Sequence, residues 1–168
     1  MQKIPNSSES KEENPVVLLP EIEEEPSKIL PEIIAQPQNP IIASIKTTPC
    51  YGKCPVYEVK FTRAQYVTWR GYANTSRIGF YEARIGGKEL KEIRRRAEDL
   101  GLFDLEEMYP EKGEFLEDYP AVITHVYSGD REKRIVNVYD APDAVRIFEE
   151  YLMELTKKLT WEEIDEVD

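Results

Sequence analysis

Apolar and polar residues alternate from Ile41 to Thr48, with Ile41, Ala43 and Ile45 set against Ser44, Lys46 and Thr48. A two-residue period places successive side chains on opposite faces, so this stretch reads as a half-buried β-strand. The period returns after Pro55, where Tyr57, Val59 and Phe61 fall on one side and Glu58 and Lys60 on the other. Thr62 to Ala64 turns the chain, Gln65 to Tyr72 returns as an aromatic-rich strand, and Ile78 to Ile85 makes a fourth. Links this short favour an antiparallel meander. At Gly86-Gly87 a helical period takes over: Leu90, Ile93, Ala97 and Leu100 recur at three- and four-residue spacing. Gly101 is placed to cap that helix. Leu102, Phe103, Leu105, Met108 and Tyr109 pack irregularly, and residues 110–117 read as a polar loop. Val122 to Tyr127 and Arg134 to Tyr139 form two further strands around a turn at Ser128-Gly129-Asp130. Pro142 opens a last helix at its first turn, where a missing N–H costs nothing, and Phe148, Leu152, Leu155 and Leu159 give it an apolar stripe. The expected fold is α+β: an antiparallel sheet of about six strands with two packed helices, in the order ββββαββα.

Composition divides the chain. Residues 1–40 carry seven of the twelve prolines and a Glu-rich patch from Glu21 to Glu25. Regular prolines forbid helix and sparse apolar content forbids a core, so 1–40 reads as a disordered, extended Pro/Glu-rich tether. Val16-Val17-Leu18-Leu19 and Ile33-Ile34 are its apolar exceptions. Residues 41–160 read as a single domain. Trp161 caps the core, and 161–168 reads as a fraying acidic tail. The net charge of −11 sits mostly at the ends: 1–40 holds three Lys and eight Glu, and 161–168 holds five acids and no base. The domain between them is nearly neutral, so it lacks the basic surface of a nucleic-acid binder. No apolar run is long enough for a membrane-spanning helix, and Lys3 is followed by prolines and glutamates instead of the apolar core of a signal peptide. The tether favours an exported protein held away from a membrane or cell wall, its signal or lipid anchor removed. A cytoplasmic home is the alternative.

Candidate chemistry concentrates in Thr48-Pro49-Cys50-Tyr51-Gly52-Lys53-Cys54-Pro55, which holds both cysteines of the chain. In an extended strand Cys50 and Cys54 would lie roughly 13 Å apart, whereas a disulfide needs Cα atoms about 5.5 Å apart. Bridging therefore requires a tight turn over Tyr51-Gly52-Lys53. Pro49 and Pro55 restrict the flanks and Gly52 permits a positive φ. Three readings compete: a structural disulfide, free thiols in a packed turn, and a redox-active pair or metal site. Redox pairs are usually spaced Cys-x-x-Cys at a helix N-terminus, and here a strand follows. A structural zinc site wants four Cys or His ligands, against two Cys and one His in the chain. The reading is therefore no metal and no cofactor.

Cys50-Tyr51-Gly52-Lys53-Cys54-Pro55-Val56-Tyr57 resembles the signature of the bacterial domain of unknown function 6438 family, roughly Cys-aromatic-Gly-x-Cys-Pro-x-Tyr. Val67-Thr68-Trp69-Arg70-Gly71 resembles that family's Gly-containing third strand, Gly79 its later glycine, and Asp118-Tyr119-Pro120 its Asp-x-Pro before the final hairpin. The similarity spans residues 41–160. Arg63-Ala64 departs from it, because relatives tend to carry an Asp-Gly or Asn-Gly turn there. The resemblance implies a fold and often an extracytoplasmic setting. It implies no activity.

Other features carry bland readings beside sharper ones. Arg94-Arg95-Arg96 falls mostly on the outer side of its helix, as a solvated face or an anion-binding site. Arg63, Arg70, Arg77 and Arg84 recur every seven residues, but odd spacing alternates faces in strands, so no stripe is expected. Ten tyrosines suit strands or an aromatic binding face. Asp118 is either a fixer of local backbone or, with His125, the acid/base pair of a small hydrolase-like enzyme. The leading expectation is a non-enzymatic binding or interaction module whose partner is a protein or envelope component. Its contact residues would be Tyr51, Gly52, Lys53, Pro55, Tyr57, Asp118, Tyr119 and Pro120. The alternative is a thiol–disulfide or redox-sensing protein using Cys50 and Cys54.

Overall fold

The computed structural model describes residues 40–112 and 118–166. Of the tether expected over 1–40, residues 1–39 with its apolar patches lie outside them, as do residues 113–117 and 167–168. Strands β1 (Ile41–Thr47), β2 (Val56–Thr62), β3 (Tyr66–Ala73) and β4 (Gly79–Arg84) come first, then helix α1 (Gly87–Asp99). A 3-10 turn (Leu102–Asp104), β5 (Met108–Tyr109), β6 (Val122–Ser128), β7 (Arg131–Asn137), helix α2 (Asp143–Lys158) and β8 (Glu162–Ile164) complete the order. One sheet joins them in the sequence β5-β7-β6-β1-β2-β3-β4-β8, antiparallel except where β5 lies parallel to β7.

The fold is α+β with two helices, and its sheet has eight strands instead of about six. β5 exists only through its ladder, with Val136 N–H donating to Glu107 O (2.8 Å) and Val138 N–H to Tyr109 O (3.0 Å). β8 forms from the acidic tail: Ile164 pairs with Phe80 and Glu162 with Glu82, and Arg70 bonds Glu166 at 3.2 Å. Trp161 starts that tail on the core. Its ring meets Trp69 edge-on at 6.0 Å, and its Nε1–H donates to Thr156 O at 2.9 Å.

Both helices cover one face of the sheet. Tyr57, Val59 and Phe61 of β2, Val67 and Trp69 of β3, and Ile45, Val126 and Ile135 beside them form the sheet side of the core. Leu90, Ile93 and Ala97 of α1 and Val145, Phe148 and Leu152 of α2 form the helix side. The opposite face carries Lys46, Glu58, Lys60, Arg70, Tyr72 and His125. The arginine spacing follows the same rule: Arg70 stacks on Tyr72 and Phe80 on the open face, whereas Arg77 lies over Trp69 and Trp161 on the core side.

Two glycines have physical reasons. A Cβ on Gly71 would stand 1.7 Å from the Arg77 carbonyl oxygen, so the strand cannot carry a side chain there. Gly79 has φ +104°, a conformation that L-residues rarely adopt. The β2–β3 turn takes its left-handed residue without glycine. Gln65 has φ 64°, and its N–H donates to Thr62 O at 3.1 Å. Gly101 caps α1 at φ 67°, with its N–H donating to Glu98 O at 2.9 Å.

Candidate functional site

The cysteine segment links β1 to β2 at one end of the sheet. Cys50 and Cys54 stand at disulfide distance with Cα atoms 5.7 Å apart, so Tyr51-Gly52-Lys53 does fold back on itself. The Gly52 N–H points at Cys50 Sγ from 3.2 Å, closing the ring from inside. Its base is pinned by Thr47, which is buried: Thr47 Oγ1 donates to Pro55 O (2.7 Å) and accepts the Tyr57 N–H (3.1 Å). From the β3–β4 link, Asn74 Nδ2 donates to Cys54 O at 3.1 Å. Within this braced ring Tyr51 is 92% exposed, with Gly52 and Lys53 also on the surface and Pro55 beside them.

The second candidate segment comes to the same end. Thr48 and Ala121 exchange two hydrogen bonds, Thr48 N–H to Ala121 O (3.0 Å) and Ala121 N–H to Thr48 Oγ1 (2.8 Å). This ties Asp118-Tyr119-Pro120 to the root of the cysteine loop. All three residues are exposed, and the Tyr119 ring lies 6.3 Å from that of Tyr139. Tyr57 behaves differently. It turns inward, stacks on Trp69 at 4.7 Å and donates its hydroxyl to Met153 Sδ at 3.2 Å. Burial pushes its hydroxyl pKa up, with Glu149 adding to the rise.

His125 lies on the open face. Its Nε2 shares hydrogen bonds with Glu132 Oε1 (2.7 Å) and the Tyr127 hydroxyl (3.3 Å), so its partner is Glu132, not Asp118. The tyrosines are also divided, with Tyr57 packed in the core and Tyr72 exposed on the far face. Among the described residues, no group of three His, Cys, Asp or Glu is placed to hold a metal ion.

Glu149 is the group that sequence reasoning missed. It is buried on α2 and accepts from Asn137 Nδ2 at 3.0 Å and Thr124 Oγ1 at 3.4 Å. Its carboxyl borders a groove of about 300 Å³ lined by Ile45, Tyr57, Val122 and Met153, with Glu150, Glu154 and Lys157 also contributing. Burial raises its pKa to about 7, the Asn137 and Thr124 donors pull against that rise, and Glu150 adds to it. Helical spacing held a signal for it, since Val145, Glu149, Leu152 and Thr156 follow one flank of α2 and all four are buried.

A family model described as Domain of unknown function (DUF6438) matches residues 42–156. The chain belongs to this family. No curated protein matches the chain. The DUF6438 region runs from β1 into the last turn of α2, so it holds the braced loop, the Thr48–Ala121 tie and the Glu149 groove. It stops short of β8. Among the described residues, no helix is long and apolar enough to cross a membrane.

Proposed function

We propose that this DUF6438 domain is a non-enzymatic binding module of the bacterial cell envelope, and that it contacts its partner through the Cys50–Cys54 loop. The observation that carries this reading is the placement of Tyr51, a large aromatic side chain left 92% exposed on a ring braced from three sides. A rigid aromatic anchor gives contact area with little ordering cost on binding. Tyr119 on the tied neighbouring segment widens the surface, and Lys53 adds a charge that fits an acidic or polar partner. Position supports the same reading. The chain enters the domain at Pro40, and seven residues of β1 carry it about 23 Å to the loop end at about 3.3 Å per residue. The loop therefore lies at the end of β1 away from Pro40.

The test uses the full chain immobilised against solubilised envelope proteins and purified cell-wall fragments. Wild type is expected to retain a component that Tyr51→Ala and Lys53→Ala lose, while all three proteins melt within about 2 °C of each other. Equal retention by wild type and both variants would remove the loop from recognition. The cysteines need a separate measurement, by alkylation, intact mass and a glutathione titration. A bridge resistant below about −300 mV is a structural element and fits the binding reading. Titration near about −200 mV would instead favour a thiol–disulfide or redox-sensing role for the same pair. Replacing both cysteines with serine should cost only about 2 kcal/mol, because so short a ring removes little unfolded-state entropy.

A further inference from the structure

At the end of the sheet opposite the cysteine loop, a cleft of about 270 Å³ opens between α1 and the β2–β3 turn. Arg63 and Gln65 come from the turn, Lys91 and Arg94 from α1, and Ile42 and Leu90 give it an apolar floor. Among the described residues, none that lines the cleft is acidic. The three arginines of α1 separate here. Arg95 is engaged by Glu92 and Asp99, and Arg96 bonds Glu92 and lies 4.2 Å over the Tyr151 ring. Arg94 turns into the cleft, and its Nε–H is shielded from solvent with no hydrogen-bond partner among the described residues. A buried donor left unmade is destabilising, more so when it belongs to a charged group.

Among the described residues, the charges around Arg94 act in opposite directions. Burial lowers the Arg94 pKa, Arg63 lowers it further, and Glu98 opposes them. The Glu98 carboxylate is itself engaged by Ser128 (2.6 Å) and Arg131 (3.3 Å), on the side of the hairpin between β6 and β7. Glu89, in the first turn of α1, folds back towards Gly86 and is not part of the lining. Gly86 provides no side-chain cap, and Gly87 borders the cleft at the start of α1, where the Glu89 carboxylate offsets the positive end of the helix dipole. Arg63 has an interaction of its own. Lys91 and Arg94 are the donors.

We infer that this cleft binds a phosphate group, held by Lys91 and Arg94. Its volume accommodates a phosphate with ordered water, at about 30 Å³ per water. Guanidinium and ammonium donors one helical turn apart suit a tetrahedral oxyanion. The source is either free phosphate or the headgroup of an anionic lipid, and the cleft lies at the end where the chain enters the domain at Pro40.

Two arms separate these sources, both on the full chain. Inorganic phosphate is titrated at constant ionic strength against chloride, following the melting temperature and the Arg Nε–H NMR signals. Vesicles of phosphatidylglycerol and of phosphatidylcholine are compared by flotation. The expected result is a melting increase and a shifted Arg94 Nε–H with phosphate, or flotation with phosphatidylglycerol alone. Either effect should weaken at least tenfold in Lys91→Gln and in Arg94→Gln, and should persist in Arg95→Gln. Phosphate response without flotation assigns the free anion, and flotation without phosphate response assigns the headgroup. If Arg94→Gln fails to fold, Lys91→Gln carries the test alone. No response in either arm, or equal loss in Arg95→Gln, overturns the site.

Discussion

Replacing Glu149 with Gln tests whether the buried carboxyl opposes folding at neutral and alkaline pH. The group has a pKa of about 7 in the folded protein, against an ordinary value of 4.5. Between those values the folded chain keeps a proton that the unfolded chain has lost. Its favourable contribution is therefore complete below about pH 4.5 and disappears as pH rises through about 7. At about 1.4 kcal/mol per unit, the charged carboxylate above pH 8 costs about 3 kcal/mol, with 2 a reasonable lower figure. Glu149→Gln keeps the shape and an acceptor for Asn137 and Thr124 but removes the charge. Urea unfolding, read by fluorescence of Trp69 and Trp161, should be measured from pH 4.5 to 8.5 for both proteins. The stability difference between variant and wild type should rise by about 2–3 kcal/mol across that range, a midpoint change of about 1 to 2 M at an m-value near 2 kcal/mol/M. The new amide N–H groups can add a constant offset, which moves the variant's curve without tilting it. Parallel pH curves would refute the reasoning, because they would mean that Glu149 titrates alike in both states.

Other substitutions read the framework. Gly71→Ala forces a methyl into the Arg77 carbonyl, which also accepts the Trp69 Nε1–H at 3.0 Å, and should cost about 3 kcal/mol in thermal unfolding. Thr48→Val removes the acceptor of the Ala121 N–H without changing shape. It should cost about 1–2 kcal/mol and speed proteolysis near Tyr119. Gln65→Gly relieves a left-handed residue and returns part of that gain as unfolded-chain entropy, so stability should rise by about 0.5 kcal/mol in the same assay.

Legibility followed the range of the interactions. β2 could be read because Tyr57, Val59 and Phe61 obey the pleat, and all three are buried. In β1 the register shifts between Ile41 and Ala43, so Ile42 and Ala43 are both buried and the alternation fails. That bulge is set by pairing with β2, which no local period reports. β5 and β8 were missed for the same reason: two residues beside Val136, and three beside Phe80, become strands only because a free edge is there to receive them. Acidic composition concealed β8, although Ile164 had a place against Phe80. Glu149 sits legibly on the buried flank of α2, but its donors come from β6 and β7, so its environment was not legible.

The signature around the cysteines divides in an informative way. Gly52 shapes the ring, Pro55 accepts the Thr47 hydroxyl at its base, and Tyr57 anchors the following strand under Trp69. These residues explain how the loop is held. Tyr51 does none of that work, since its side chain stands outside the ring that its neighbours support. An aromatic residue that serves packing lies under a neighbour, as Tyr57 does. On the proposed binding reading Tyr51 is the residue to test for recognition, and substitutions at Tyr57 should be scored as losses of stability before any loss of binding is attributed to them.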